Sequence, residues 1–264
     1  MPDLRGDVNQ LLQSIAEKKA ELDRLRALAP GGLSNFEHTQ DLELTYTSTA
    51  IEGNTLTAAE TALVVEKGIT IGGKPLKDHL EAVDHYEALH YVRELARQAE
   101  PFTEMDVRNL HRLVMLRSAP EIAGRYADQG RYVLTEGGRH SFPSPAEVPA
   151  LMGDFARWLG VAAAGPAAAF DAHRRLVDIH PFNDGNGRTA RLVMNLVLIR
   201  GGYPPVAVRL EDRAAYIGAL QQAQAGRGTA AFERLLCERL DATLAEYISA
   251  AREALSAPRA EGWS

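Results

Sequence analysis

Apolar residues recur every three or four positions along most of the chain, which is the spacing of one face of an α-helix. In the first segment Leu11, Leu12, Ile15, Leu22 and Leu25 roughly keep one face, with charged residues between them. The pattern predicts a mostly α-helical protein. The segments with helical spacing are 8–28, 34–52, 57–68, 79–98, 105–116, 145–159, 167–180, 186–200, 211–226 and 229–254.

The first of these helices, 8–28, has one apolar face that needs a partner. Such a face suits either packing on the protein's own core or docking to a second copy. The ordinary amphipathic helix on the core is the favoured interpretation, and a homo-oligomer stays open.

One stretch, between Gly124 and Pro145, departs from the helical spacing. Residues 131–135 have the β-prone sequence RYVLT, and two glycines follow in a turn. This arrangement predicts a short β-hairpin, with a plain structural loop as the alternative. The predicted fold class is therefore all-α with one small hairpin.

Residues with capping chemistry mark several helix boundaries. Ser34 with Glu37, three positions later, predicts a capping box at the start of the second helix. Thr103 with Asp106 predicts a cap at a later helix, and Gly53 is a natural residue just past a helix end.

Composition and charge exclude several classes of protein. The 264 residues are 45% hydrophobic and 24% charged, which is typical of a globular protein. The net charge of −6 does not favour nonspecific nucleic-acid binding, and no apolar run is long enough to span a membrane. The one cysteine, Cys237, rules out an internal disulfide, and no signal peptide is visible. We therefore expect a cytoplasmic protein with neither nucleic acid nor membrane as partner.

Chemistry concentrates in residues 180–191, HPFNDGNGRTAR. His180 ends a helix on its buried face, and Pro181 stops that helix because proline disfavours the αR conformation in the preceding residue. Asn183, Asp184 and Gly185 follow as a tight loop. The next helix begins near residue 186, so its unpaired backbone N–H groups and positive dipole end form an anion-binding place.

The residue types around this helix start suit a polyphosphate. Gly185 and Gly187 let the backbone approach a phosphate closely, and Arg188 and Arg191 add positive charge. Asp184 stands where a divalent cation can bridge phosphates. His180 has a pKa suited to accepting a proton near neutral pH. Together these residues indicate transfer chemistry on a nucleotide; the alternative is a buried helix pair with a structural histidine.

A second motif, STAIEGN at residues 48–54, ends the second predicted helix. Ser48 and Glu52 are four positions apart and share one helix face. Glu52 stands at the negative end of the helix dipole, which is unfavourable unless a cation compensates. Glu52 is therefore expected to face a positive group.

Both motifs resemble those of one protein family. HPFNDGNGRTAR matches every defining position of the Fic signature HxFx(D/E)GNGRxxR, and STAIEGN resembles the family's inhibitory motif (S/T)xxxE(G/N). The resemblance covers residues 41–235 and implies a Fic fold. It divides the chain into a helical region, 1–98, that carries the inhibitory helix, and a catalytic core with C-terminal helices, 99–264.

The resemblance also implies the reaction: AMP moves from ATP to a Ser, Thr or Tyr hydroxyl of a target protein. His180 would be the base, and Asp184 would hold Mg²⁺. Asn186 would join the glycines as a phosphate contact, with Arg188 and Arg191 on the β- and γ-phosphates. Glu52 would pair with Arg191, displace the γ-phosphate and inhibit the enzyme.

The remaining site residues rest on the resemblance alone. The hairpin would be the flap that aligns the target segment by strand addition, which assigns target docking to Val133, Leu134 and Thr135. Tyr216 and Gln224 are candidates for the nucleoside pocket, although a buried tyrosine is more often a packing residue.

Two other functions stay open at the level of sequence. The same site would remove AMP from a modified protein if Glu52 orients water. A silenced nucleotide-binding regulator is the third candidate, although the intact His180 and Asp184 argue against it.

Overall fold

A buried helix, α8 (Asn186–Arg200), lies at the centre of the fold. The computed structural model describes residues 4–28, 30–135 and 138–256. Every side chain from Thr189 to Leu198 is buried, as the apolar composition of this segment predicts. Four helices, α2, α4, α5 and α7, pack around it. The elements are α1 (Leu4–Leu28), α2 (Ser34–Ala50), α3 (Ala58–Lys67), α4 (Leu76–Arg97), α5 (Glu104–Val114), β1 (Tyr132–Thr135), β2 (Gly138–Ser141), α6 (Val148–Val161), α7 (Pro166–Ile179), α8, a 3₁₀ turn (Leu210–Asp212), α9 (Arg213–Gln224) and α10 (Ala230–Ser256).

The predicted fold class is confirmed. In the described ranges the chain forms ten α-helices and one two-stranded antiparallel sheet. Tyr132 pairs with Ser141 and Leu134 with Arg139, so the hairpin lies where the β-prone run predicts it. Gly137, predicted to form the turn with Gly138, lies outside the described residues, as does Glu136.

The apolar face of α1 is covered by α10, as the favoured interpretation predicts. Ion pairs and hydrogen bonds advance along both helices in the same direction, so the two helices run parallel. Asp7 lies 3.8 Å from Arg234, the Ser14 hydroxyl donates to Asp241 at 2.7 Å, and Arg252 donates to Glu21 at 2.5 Å. Val8, Ile15 and Leu22 are buried between them.

The capping predictions divide into correct and wrong ones. Thr103 and Asp106 form a reciprocal capping box at α5, and the start predicted at Thr57 is a second such box. The box predicted at Ser34 and Glu37 is wrong. The chain is already helical at Leu33, with φ −99° and ψ 0°, so Ser34 lies inside the first turn and its side chain caps no N–H.

One continuous core joins both predicted regions. It extends from Val8 in α1 to Ala251 in α10 and crosses the boundary at residues 98 and 99, which falls between α4 and α5. No helix in the described part of the chain is long and apolar enough to cross a membrane.

Buried neutral histidines are a feature of this core. Burial, with Arg191 and Arg188 nearby, lowers the pKa of His85 to about 3, and burial lowers the pKa of His173 to about 3. Both ring nitrogens of His85 have no hydrogen-bond partner within the described residues. A histidine that stays neutral in the fold but binds a proton when unfolded destabilises the fold in acid.

We expect His85 to contribute to acid sensitivity. Its folded pKa is below its unfolded value of about 6.5, so its stabilising contribution is complete above pH 6.5 and decreases as the pH falls towards 3. Between pH 7.5 and 5.5 this one proton costs about 1.4 kcal/mol of unfolding free energy. His85→Leu should lose about that much less than the wild type over this interval, measured by urea unfolding.

The matched control is His90→Leu, because His90 is exposed on the same helix. Equal pH dependence in the wild type and His85→Leu would contradict a buried neutral His85.

Candidate active site

The loop between α7 and α8 begins with an unusual backbone conformation at His180. Its φ of 50° and ψ of 57° are left-handed, and no other non-glycine residue in the described ranges has a positive φ. Pro181 follows, and proline disfavours the αR conformation that would continue α7. The left-handed conformation costs energy in a non-glycine residue, and residues that adopt it concentrate at functional sites. The loop therefore turns away from α7 at the residue that carries the imidazole.

The loop is held rigidly by side chains behind it. Phe182 is fully buried and stacks on His111, with ring centroids 3.6 Å apart. His111 accepts from the Gly124 N–H through Nδ1 and donates from Nε2 to the Asp184 carbonyl, both at 3.0 Å. The Asn186 side chain accepts from Phe182 N and donates to Phe182 O, at 2.9 and 2.8 Å. Asn186 thus closes the loop with its amide, while its backbone N–H stays in the first turn of α8.

Gly185 is required by the geometry of this loop. Its φ of 74° is left-handed, and a Cβ there would lie 2.8 Å from Met115 Sδ. The Gly185 N–H donates to Asp184 Oδ1 at 2.6 Å. The glycine therefore lets the loop enter α8 with its N–H groups pointing towards the site.

His180 lies in a mostly apolar environment at the mouth of this loop. Phe142, just after β2, stacks on the imidazole with centroids 3.8 Å apart and planes 11° apart. Burial lowers the pKa of His180 to about 4, and Arg131 acts in the same direction, while Glu52 and Asp184 oppose it. The imidazole is therefore neutral near pH 7 and can accept a proton.

Arg191 forms the predicted contact with Glu52. Arg191 Nη2 donates to Glu52 Oε1 at 2.8 Å and to the Ser48 carbonyl at 2.8 Å, and its Nε donates to the Ser48 hydroxyl at 3.0 Å. The side chain of Arg191 is 5% exposed, whereas that of Glu52 is 40% exposed. Glu52, just past the end of α2, thus has its compensating cation. Ser48 and Glu52 of the STAIEGN motif both contact Arg191.

The Glu52 carboxylate lies over the first turn of α8. A Cβ added at Gly187 would overlap Glu52 Oε1 and would lie 3.2 Å from Arg191 Nη1. The N–H groups of this turn have no partner within the helix and carry its positive dipole end. Glu52 therefore lies at the place that the sequence assigns to phosphate.

Arg188 is placed differently from Arg191. It is buried, its Nη1 lies 3.3 Å from Glu81 Oε1 on α4, and its Nη2 lies 3.7 Å from Asp184 Oδ1. Glu81 also accepts from the Asn54 side chain, two residues after Glu52. Both arginines of the motif are thus paired with acids from the N-terminal helices.

The surroundings of Asp184 fit a magnesium ion. The side chain of Asp184 is about half exposed. Of its two carboxylate oxygens, only Oδ1 has a hydrogen bond within the described residues. Among the described residues, no three or more His, Cys, Asp or Glu side chains come together as a set of metal ligands. Mg²⁺ is usually held by one or two carboxylates plus substrate phosphates, so a single acid beside an anion-binding turn suits it.

A cavity of about 200 Å³ opens beside these residues. It brings the predicted nucleoside residues, Tyr216 and Gln224, together with His180, Glu52 and Arg191. Tyr216 is also buried: its oxygen accepts from Arg191 Nη1 at 3.5 Å and lies 2.7 Å from His173 Nε2. The full lining is Glu52, Val133, Phe142, Val177, His180, Gly187, Arg191, Tyr216, Ile217, Leu220, Gln221 and Gln224.

The hairpin contributes one wall of this cavity. Val133 lines it, while Leu134, on the opposite face of β1, is 77% exposed. The Thr135 backbone pairs with Gly138, and its side chain lies outside what the structure describes. The predicted flap thus lies beside His180.

Several residues of the site were missed by sequence reasoning. His111 and Phe142 brace the loop and the imidazole, Glu81 pairs with Arg188, and Arg213 donates to the Ile51 carbonyl at 2.8 Å. Each comes from an element far away in the chain, and none belongs to a local motif. Glu81 is one of three acids on the buried face of α4, with Asp78 and Asp84, so it gave no signal of its own.

Several known proteins are similar to this chain. The model of the Fic/DOC family matches residues 101–198. A Fic-domain-containing signalling protein from Bacteroides thetaiotaomicron is 32% identical, and the match covers 94% of this chain and 100% of that one with a TM-score of 0.84. A segment of Fic-1 from C. elegans is 31% identical, covering 95% of this chain and 74% of that one with a TM-score of 0.82.

Longer relatives match as well. The protein adenylyltransferase Fic of Nematostella vectensis is 34% identical, and the match covers 94% of this chain and 58% of that protein. The protein of the same name from Drosophila erecta is 35% identical, over 90% of this chain and 46% of that protein. The chain spans about half the length of the curated relatives it matches.

The overlap of Gly187 with Glu52 predicts an energetic coupling. Gly187→Ala should destabilise the wild type by about 1–3 kcal/mol, because the new methyl group displaces the carboxylate from Arg191. In a Glu52→Gly background the same change should cost nothing. Urea unfolding of the four proteins of this double-mutant cycle measures the coupling.

The matched control is Gly218→Ala in α9, where an added Cβ meets nothing within 4 Å. It should stabilise both backgrounds equally, by about 0.5–1 kcal/mol. An equal cost of Gly187→Ala in both backgrounds would show that Glu52 does not lie over this turn.

Proposed function

This chain belongs to the Fic/DOC family, and from that premise we propose that it transfers AMP from ATP to a hydroxyl group of a target protein. One observation carries the proposal. A neutral His180 lines the same cavity as the first turn of α8, which has the backbone and charge to bind a polyphosphate. The relatives named protein adenylyltransferase support the same reaction.

In this mechanism His180 acts as the general base. It takes the proton of the target's Ser, Thr or Tyr hydroxyl while that oxygen forms a bond to the α-phosphorus. The bond from the α-phosphorus to the bridging oxygen breaks, and pyrophosphate leaves with those electrons. Phe142 holds the imidazole plane by stacking, so little reorganisation is needed.

The phosphates are bound by the first turn of α8. Backbone N–H groups at Gly187 and its neighbours contact the oxygens, and Arg191 holds the γ-phosphate once Glu52 has moved. Arg188 acts from beneath the loop, where its contact with Asp184 orients that carboxylate. Asp184 would hold Mg²⁺, which would neutralise charge on the phosphates.

The hairpin is proposed as the docking edge for the target. Val133 contacts the cavity, and each strand of the two-stranded sheet has an outer edge to which an extended segment can add. Strand addition there would bring a target hydroxyl next to His180.

Glu52 is proposed as a built-in inhibitor. Its carboxylate lies over the turn that binds phosphate and pairs with the arginine that would bind the γ-phosphate. ATP would then bind only with its phosphates displaced from the reactive geometry. The active fraction is the one in which the pair is broken.

Removal of AMP from a modified protein is a second candidate. Glu52 and His180 line the same cavity, so the carboxylate is placed where it can orient a water molecule towards a phosphorus. In that reaction Glu52 would be required rather than inhibitory. A Glu52 variant therefore separates the two activities.

Glu52→Gly should raise AMP transfer, including self-modification, by about 30- to 150-fold. This factor corresponds to a pair worth about 2–3 kcal/mol, at a factor of ten per 1.4 kcal/mol. The measurement is incorporation from α-labelled ATP by the purified wild type and variant. Equal, low incorporation by both would refute self-inhibition, and loss of a wild-type AMP-removing activity would favour the second candidate.

His180→Ala, made in the Glu52→Gly background, should lower transfer by about 10²- to 10⁴-fold, the usual contribution of a general base. ATP affinity should change little, because the phosphates contact α8 and not the imidazole. Calorimetric titration with ATP checks the binding. Turnover close to that of Glu52→Gly alone would remove His180 from the mechanism.

A further inference from the structure

We propose that Arg213 is a positioning residue that holds the inhibitory turn of α2 in place and so sets how often Arg191 is free. The inference rests on the proposed function for its activity readout. Arg213 lies outside both motifs, at the first residue of α9.

The contact itself is direct. Arg213 Nε donates to the Ile51 carbonyl at 2.8 Å, and Ile51 is the C-cap of α2, immediately before Glu52. The last carbonyls of a helix lack partners within it and carry its negative dipole end, so a guanidinium there is favourable. No carboxylate among the described residues lies within ion-pair distance of Arg213. Its role is therefore specific to this turn.

The first turn of α9 contacts Arg191 and the backbone next to Glu52. Tyr216 is three positions after Arg213, so the two side chains are neighbours on the helix surface. Arg213 binds the backbone next to Glu52, and the Tyr216 hydroxyl accepts from Arg191. One helical turn thus sets the distance between the acid's backbone and the arginine.

The same helix lines the cavity. Ile217, Leu220, Gln221 and Gln224 follow on α9 and face the space where the nucleoside would lie. A ligand that packs on these side chains therefore contacts the helix that holds Glu52. Through Arg213, the turn that carries Glu52 is attached to the helix that lines the nucleotide pocket.

A nearby arginine provides a matched control. Arg209 binds Glu43 on α2 at 3.2 Å and Glu246 on α10 at 2.9 Å, so it also ties α2 to the rest of the fold. It does not contact the turn at residues 51 and 52. Removing Arg209 tests general loosening of α2, whereas removing Arg213 tests the turn.

The test compares Arg213→Met, Arg213→Lys and Arg209→Met in the wild-type and Glu52→Gly backgrounds, using α-labelled ATP. Arg213→Met keeps most of the aliphatic stem and should raise transfer about three- to tenfold, as expected for the loss of one partly exposed charge-assisted hydrogen bond. Arg213→Lys should restore at least half of the inhibition, and Arg209→Met should resemble the wild type. In the Glu52→Gly background Arg213→Met should give no further increase.

A second readout does not depend on activity. The amides of residues 51–54 are hydrogen-bonded to α2, and their hydrogen exchange should accelerate in Arg213→Met but not in Arg209→Met. Unchanged exchange, or equal acceleration in both variants, overturns the proposal. An increase in AMP transfer caused by Arg213→Met in the Glu52→Gly background also overturns it. If Glu52→Gly transfers no AMP at all, the proposed function fails, and the exchange data alone decide the role of Arg213.

Discussion

The rest of the site depends on one constraint: the buried guanidinium of Arg191 needs an anion. Arg191 points from the central helix into a space that excludes most water, and an unpaired charge there is costly. Ser48 and Tyr216 satisfy its N–H groups, but among the described residues only Glu52 supplies negative charge. In the proposed function, a phosphate is the other anion that occupies this place. The inhibited and the active states of the proposed function then differ in the anion that neutralises Arg191, which is Glu52 in the first and a phosphate in the second.

The two sides of this pair differ in their freedom. Arg191 is packed inside a helix, and the loop before it is fixed by His111, Phe182 and Asn186. Glu52 is partly exposed and follows the last turn of α2. When the protein changes from the inhibited to the active state, we therefore expect Glu52 to move and Arg191 to stay in place. In the proposed function, the phosphate-binding surface is already formed, which avoids a cost of reorganisation at the moment of reaction.

Much of the fold follows from local patterns, and the rest follows from contacts that no local pattern contains. Helical spacing, the β-prone run and the cap at Thr103 predict the elements, because they depend on near neighbours. The Glu52–Arg191 contact came from the family motif. Phe142 over His180 and Glu81 beside Arg188 were missed, because nothing within a few residues distinguishes them from ordinary core positions. Ser34 failed because the preceding residue is itself helical.

The parallel pairing of α1 with α10 has a consequence for the order of folding. These helices are more than 200 residues apart in the sequence, so their contact closes nearly the whole chain. Closing so long a loop is entropically costly and is expected late. During synthesis α2 emerges early, but its bridge through Arg209 to Glu246 can form only after α10 has left the ribosome. In the proposed function, the nascent protein therefore carries its catalytic loop before the scaffold that holds its inhibitory helix is complete.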